Sequence, residues 1–110
     1  MKLLTAEIRR RLPALYTTQD DPDPIVQVRL FTPWTNWTWN ITEFDGEDLL
    51  FGLVEGFETE WGYSSLAELE AIRGPGGLRI ERDLYFDPTP VSEVPSLRAF
   101  VRGSFSRDLG

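Results

Sequence analysis

The side chains that most often do chemistry in proteins are missing here: the 110-residue chain has neither histidine nor cysteine. Imidazole bases, thiolate nucleophiles, disulfides and soft-metal sites are thereby excluded, and any reaction would rest on carboxylates, tyrosine or arginine. The best pair for such work would be drawn from Glu43, Glu58 and Glu60, acting as a glycosidase-like acid and base. Glu58 and Glu60 lie two apart and would share one face of a strand, but so do the carboxylates of any solvated strand. Asp20, Asp21 and Asp23 invite a calcium reading because hard cations take oxygen ligands. The glycine and glutamate that an EF-hand loop needs are not in place, so an acidic loop is expected instead. Pro75-Gly76-Gly77 is followed by no Lys-Ser/Thr pair and reads as a loop, not a phosphate cradle. The expectation is no catalytic residue, no cofactor and no metal.

Charge is more informative than its net value of -7. Residues 17–72 hold twelve carboxylates against Arg29 alone, while Lys2, Arg9, Arg10 and Arg11 make the start of the chain basic. Between positions 43 and 60 stand Glu43, Asp45, Glu47, Asp48, Glu55, Glu58 and Glu60 with no basic residue. Such a sheet would repel phosphates, so direct nucleic-acid binding is disfavoured. The acidic run either keeps the protein soluble or presents a surface to a basic partner. Trp37 and Trp39 could stack bases as aromatic platforms do, but they share a face with Ile41, Leu50 and Val54, which favours core packing. Trp34, set between Pro33 and the next strand, is expected to be the most exposed of the four tryptophans and an interface anchor. The candidate partner-binding residues are thus Trp34, Glu43, Asp45, Glu47, Asp48, Glu58 and Glu60.

The elements that would position these residues read as an α+β domain: a small antiparallel meander of three to four strands with two or three short helices. Thr5 caps a helix over Ala6 to Leu12 that Pro13 ends. Ile25 to Phe31 alternates as a first strand, and Asn36 to Phe44 as a second. Asp45-Gly46 closes a hairpin onto the run from Leu49 to Tyr63, as the positive φ of a tight turn requires. With a two-residue turn, Trp39 faces Gly52, Trp37 faces Val54 and Ile41 faces Leu50, and Trp39 is largely buried. Gly56 marks a bulge or a second turn, with Phe57 on the face shared by Phe51 and Leu53. The capping box Ser65-Leu66-Ala67-Glu68 starts a helix to Arg73 that Gly74 stops, with Leu66, Leu69 and Ile72 inward. Leu78 to Phe86 is an extended segment at the sheet's margin. Ser96 to Arg102 forms a last short helix with Leu97, Phe100 and Val101 inward, on an arm of residues 95–110 beyond a single domain of residues 1–94.

No apolar run is long enough to span a membrane. Glu7 and the arginine triplet break up any signal-peptide core, so a cytoplasmic protein is expected. The sequons at Asn36 and Asn40 then read as outward-facing strand residues.

Several separated motifs carry a resemblance: Met1-Lys2-Leu3-Leu4-Thr5, Leu15-Tyr16, Asp23-Pro24-Ile25-Val26, Phe31-Thr32-Pro33, Trp37-Thr38-Trp39, Glu43-Phe44-Asp45-Gly46-Glu47, Phe51-Gly52-Leu53-Val54, Gly62-Tyr63 and Ile80-Glu81-Arg82-Asp83. From Met1 to about Val94 the chain resembles a family of small bacterial proteins catalogued only as a domain of unknown function. The resemblance implies an origin on plasmids, integrative conjugative elements or phages, and supplies no catalytic residues. The expected function is a non-enzymatic accessory protein of a mobile element. It would bind a host protein or complex with a basic surface, inhibiting a CRISPR or restriction defence. A single-stranded nucleic-acid-binding module and a carboxylate-dependent hydrolase are the alternatives.

Overall fold

Each of the two short α-helices is started by a side chain that satisfies a local backbone group. The computed structural model describes residues 2–101. Helix α1 (Ala6–Arg11) begins at Thr5, whose hydroxyl accepts the Ile8 N–H at 3.1 Å. Strands β1 (Ile25–Val26), β2 (Val28–Phe31), β3 (Thr38–Phe44), β4 (Leu49–Glu55) and β5 (Thr59–Ser65) follow. Helix α2 (Leu66–Ala71) then starts at Ser65, whose hydroxyl accepts the Glu68 N–H at 3.2 Å. Two short strands, β6 (Glu81–Arg82) and β7 (Thr89–Pro90), and 3-10 turns over Val91–Glu93 and Pro95–Phe100 end the described chain.

The fold is α+β. Its main sheet has five antiparallel strands in the order β5-β4-β3-β2-β6, one more than the longest meander expected, and β1 pairs with β7 in a separate ribbon. The edge strand β6, within the segment expected at the sheet's margin, docks on β2 through Leu30–Arg82 and Phe31–Glu81. One face of the sheet packs Val28, Leu30, Trp39, Ile41, Phe44 and Leu50 against the two helices through Ile8, Leu12, Leu66 and Leu69. The other face is covered by the β1–β7 ribbon and the 3-10 turns, through Val26, Leu53, Val91, Val94 and Leu97.

This second cover corrects the reading of β3. Asn40 and Thr42 do not face outward; both are fully buried. Their donor groups are satisfied inside the sheet, as most buried polar groups are. Asn40 Nδ2 donates to the Leu53 carbonyl at 3.0 Å and to Glu55 at 2.9 Å, and the Thr42 hydroxyl donates to the Phe51 carbonyl at 3.2 Å.

The hairpin between β3 and β4 forms, and Trp39 is 6% exposed, but the register differs from that of a two-residue turn. Asp45 N–H donates to the Leu49 carbonyl at 2.9 Å, closing a longer loop over Gly46, Glu47 and Asp48. Ile41, not Trp39, therefore faces Gly52, and Trp39 faces Val54, Phe44 faces Leu50. A register shift between Ile41 and Glu43 marks a bulge, which turns Glu43 to the level of Phe51 and Phe44 into the helix-side core. Gly52 is needed because a Cβ there would fall on the Asn40 carbonyl and near the Ile41 Cα at 2.9 Å. Helix α2 ends at Ala71, two residues early. Ile72 takes an extended conformation as its cap and is partly exposed, not inward. The C-terminal segment is a 3-10 turn over Pro95–Phe100 that buries Leu97; Arg102 and Gly103 lie outside the described residues.

Candidate protein-binding site

The acidic run of positions 43–60 does not form one surface. Glu43 is fully buried, and its carboxylate accepts the Tyr16 N–H at 2.8 Å, the Thr18 N–H at 3.0 Å and the Thr18 hydroxyl. It anchors the loop after α1 and is withdrawn from both a partner-facing role and a carboxylate pair with Glu58 or Glu60. Asp45 builds the β3–β4 loop: its Oδ1 accepts the N–H groups of Glu47 and Asp48 at 2.8 Å and of Leu49 at 3.0 Å. These bonds hold its carboxyl below the usual aspartate range, that from Glu47 most of all. Asp48 tethers the start of α2, accepting from the Ser65 hydroxyl at 2.7 Å and the Ala67 N–H at 2.8 Å. Glu55 joins Asn40 and Arg29, with the guanidinium at 3.4 Å.

What remains exposed is Asp45 and Glu47 at one end of β4 and Glu58 and Glu60 at the other. Seven residues of strand separate the two ends, about 20 Å.

The second end is built by a tight turn. Gly56 is the turn that separates β4 from β5, its N–H donating to the Glu58 carbonyl at 3.0 Å. The turn lifts Phe57 off the sheet, and the ring is 96% exposed instead of sharing the face of Phe51 and Leu53. Its one described ring contact is Trp37, edge-on at 83° with centroids 5.5 Å apart. Trp37 is itself half-buried, packed on the helix-side core and tilted against Trp39 at 5.9 Å. A Cβ on Gly56 would meet the Trp37 ring at 2.5 Å, so glycine lets the turn close over the indole. Trp37, Val54, Gly56, Phe57, Glu58 and Glu60 line an open cleft of about 470 Å³. Among the described residues neither the Glu58 nor the Glu60 carboxylate has an ion-pair partner.

Trp34 sits elsewhere. It is half-buried, as are Trp37 and Trp61, and its ring lies against Gly74 and the helix-side core. Phe57 is far more exposed than any of these, and an aromatic placed next to a turn glycine was the signal that could have found it.

A second cleft of about 410 Å³ opens beside the Thr32–Trp37 loop, lined by Arg29, Phe31, Thr35, Thr38 and Asp83 among others. Arg29 lies over the Phe86 ring at 5.4 Å. Arg29 Nε and Asn40 Oδ1 are buried with no hydrogen-bond partner among the described residues. Asp21 and Asp23 are structural: Asp21 accepts the Asp23 N–H at 2.9 Å, and Asp23 accepts from the Ser92 N–H at 2.8 Å and hydroxyl at 2.6 Å. Among the described residues no group of three His, Cys, Asp or Glu could hold a metal ion, and no helix is long and apolar enough to cross a membrane.

Residues 3–98 match the family described as Protein of unknown function (DUF2958), so the chain belongs to that family. No curated protein and no solved structure matches it.

Proposed function

We propose that this member of the DUF2958 family is a non-enzymatic accessory protein of a mobile genetic element. It works in the cytoplasm by binding a host protein with a basic surface, and its target is a defence system against foreign DNA. The observation that carries the binding reading is Phe57, presented almost wholly to solvent on a tight turn, backed by Trp37 and flanked by the unpaired carboxylates of Glu58 and Glu60. A ring so placed adds little to folding, since it buries almost no surface. It is suited to become a buried anchor once a partner closes over it. Acidic residues around such an anchor speed encounter with a basic partner. The mobile-element and defence parts of the reading rest on the sequence resemblance.

The nucleic-acid alternative draws no support from the tryptophans, because Trp39 is buried and Trp37 faces the helix-side core. The test is affinity capture from a host lysate with the parent protein and with Phe57→Ala. A host protein retained by the parent and lost with the variant supports the reading. Equal capture by both sinks it.

A further inference from the structure

The cleft beside Phe57 says which chemical group the partner brings. We propose that it receives an arginine side chain of the partner, an inference that rests on the binding reading above and specifies it. Trp37 and Phe57 stand at right angles, so a side chain entering the cleft meets the face of one ring and the edge of the other. A cation over an aromatic face is attracted by the ring quadrupole, and guanidinium does this most often because its plane can lie flat on the ring.

The polar side of the cleft completes the match. Glu60 lies directly opposite Val54 across the β4–β5 pair, and Val54 is opposite Trp39, so Glu60 stands on the same face of the sheet as Trp39. Glu58 is on the turn itself. Two carboxylates thus border an aromatic wall, and a guanidinium could lie on the ring while its N–H groups fork to a carboxylate. Among the described residues no cation occupies that position: the cleft lining contains no Lys or Arg, and the sequence has none from position 30 to position 72. Carboxylates alone would accept any cation or simply keep the chain in solution. The exposed ring and the indole behind it select a flat one with an apolar stem.

The isolated full chain is titrated with Nα-acetyl-arginine amide at low salt, following the tryptophan indole N–H and backbone amide signals by NMR. The neutral isostere Nα-acetyl-citrulline amide is the control. Saturable shifts at Trp37, Gly56, Phe57 and Glu60 with the arginine derivative, and none with citrulline, are expected. Phe57→Ala and Glu58→Gln/Glu60→Gln should each weaken binding by about 2- to 5-fold. Both change exposed residues, and an unchanged melting temperature shows that the variant is folded. No saturable shift, or equal shifts from citrulline, overturns the arginine assignment. If capture of the host protein still depends on Phe57 in that case, the interface stands and only its occupant was misassigned. If arginine binds but capture does not depend on Phe57, the binding reading fails instead.

Discussion

The Tyr16 amide donates to the Glu43 carboxylate at 2.8 Å, joining residues 27 positions apart in the sequence. Tyr16 has φ 71°, the one positive value outside glycine among the described residues, a conformation that costs roughly 1–2 kcal/mol. The buried carboxylate holds the backbone there by taking the Tyr16 and Thr18 amides together. Glu43→Ala would leave both donors without that acceptor, and the expected loss is about 2–4 kcal/mol in a urea unfolding experiment. Glu43→Gln keeps one acceptor oxygen and should lose less. Equal midpoints for all three proteins would mean that the loop is held by something else.

Asp45 makes the β3–β4 loop sensitive to acid. Its folded carboxyl is held below its unfolded value by the N–H groups of Glu47, Asp48 and Leu49. The sign follows: the ionised form is favoured by folding, so its contribution is fully present above the unfolded aspartate pKa and is lost as pH falls through the lower folded value. Asp45→Asn should therefore lower stability at neutrality, and its difference from the parent should shrink as pH falls below about 4. A Asp45 carboxyl that titrates by NMR at the position of an unfolded peptide would refute this.

Gly52 reports the register. Because its missing side chain would collide with the Asn40 carbonyl, Gly52→Ala should already destabilise by about 1–3 kcal/mol through overpacking. In the register of a two-residue turn, with Gly52 beneath Trp39, a methyl group would cost far less than a large residue. Comparing the urea midpoints of Gly52→Ala and Gly52→Leu separates the two arrangements.

Phe57 and Gly56 should behave oppositely although they are adjacent. Phe57→Ala removes an exposed ring and should change stability by no more than about 0.5 kcal/mol. Gly56→Ala puts a methyl group into the Trp37 indole, so it should lower the melting temperature and shift tryptophan emission. A Phe57→Ala variant as unstable as Gly56→Ala would make the ring a structural part and remove it as an anchor.

What could be read from the sequence was local. The Thr5 and Ser65 caps lie within three residues of the amides they satisfy, and both helix starts fall where those residues place them. The Asp45-Gly46 turn was equally visible, but its length was not, because Asp45 gathers three amides into a wider loop and the bulge after Ile41 absorbs the offset. Asn40 and Thr42 looked wet because β3 alternates; their cover arrives from residues 89–97, which no local pattern announces. The candidate site divided in the same way. Glu60 lies on a strand as its spacing implied, but Glu58 falls on the turn before Thr59 and does not share that strand, while Glu43 vanished into the interior at the bulge and Phe57 emerged from it at the turn.

The two-sided burial of β3 also sets an order of events during synthesis. Strands β2 to β5 follow one another within residues 28–65, so the hairpins and the helix-side core can form while the chain is still being made. The cover on the other face depends on Ile25 meeting Pro90 and on Asp23 meeting Ser92, 69 residues downstream. Until those residues leave the ribosome, Asn40, Thr42 and Leu53 stay in contact with water. The nascent protein passes through a half-built stage with one finished core, and residues 89–97 seal the other.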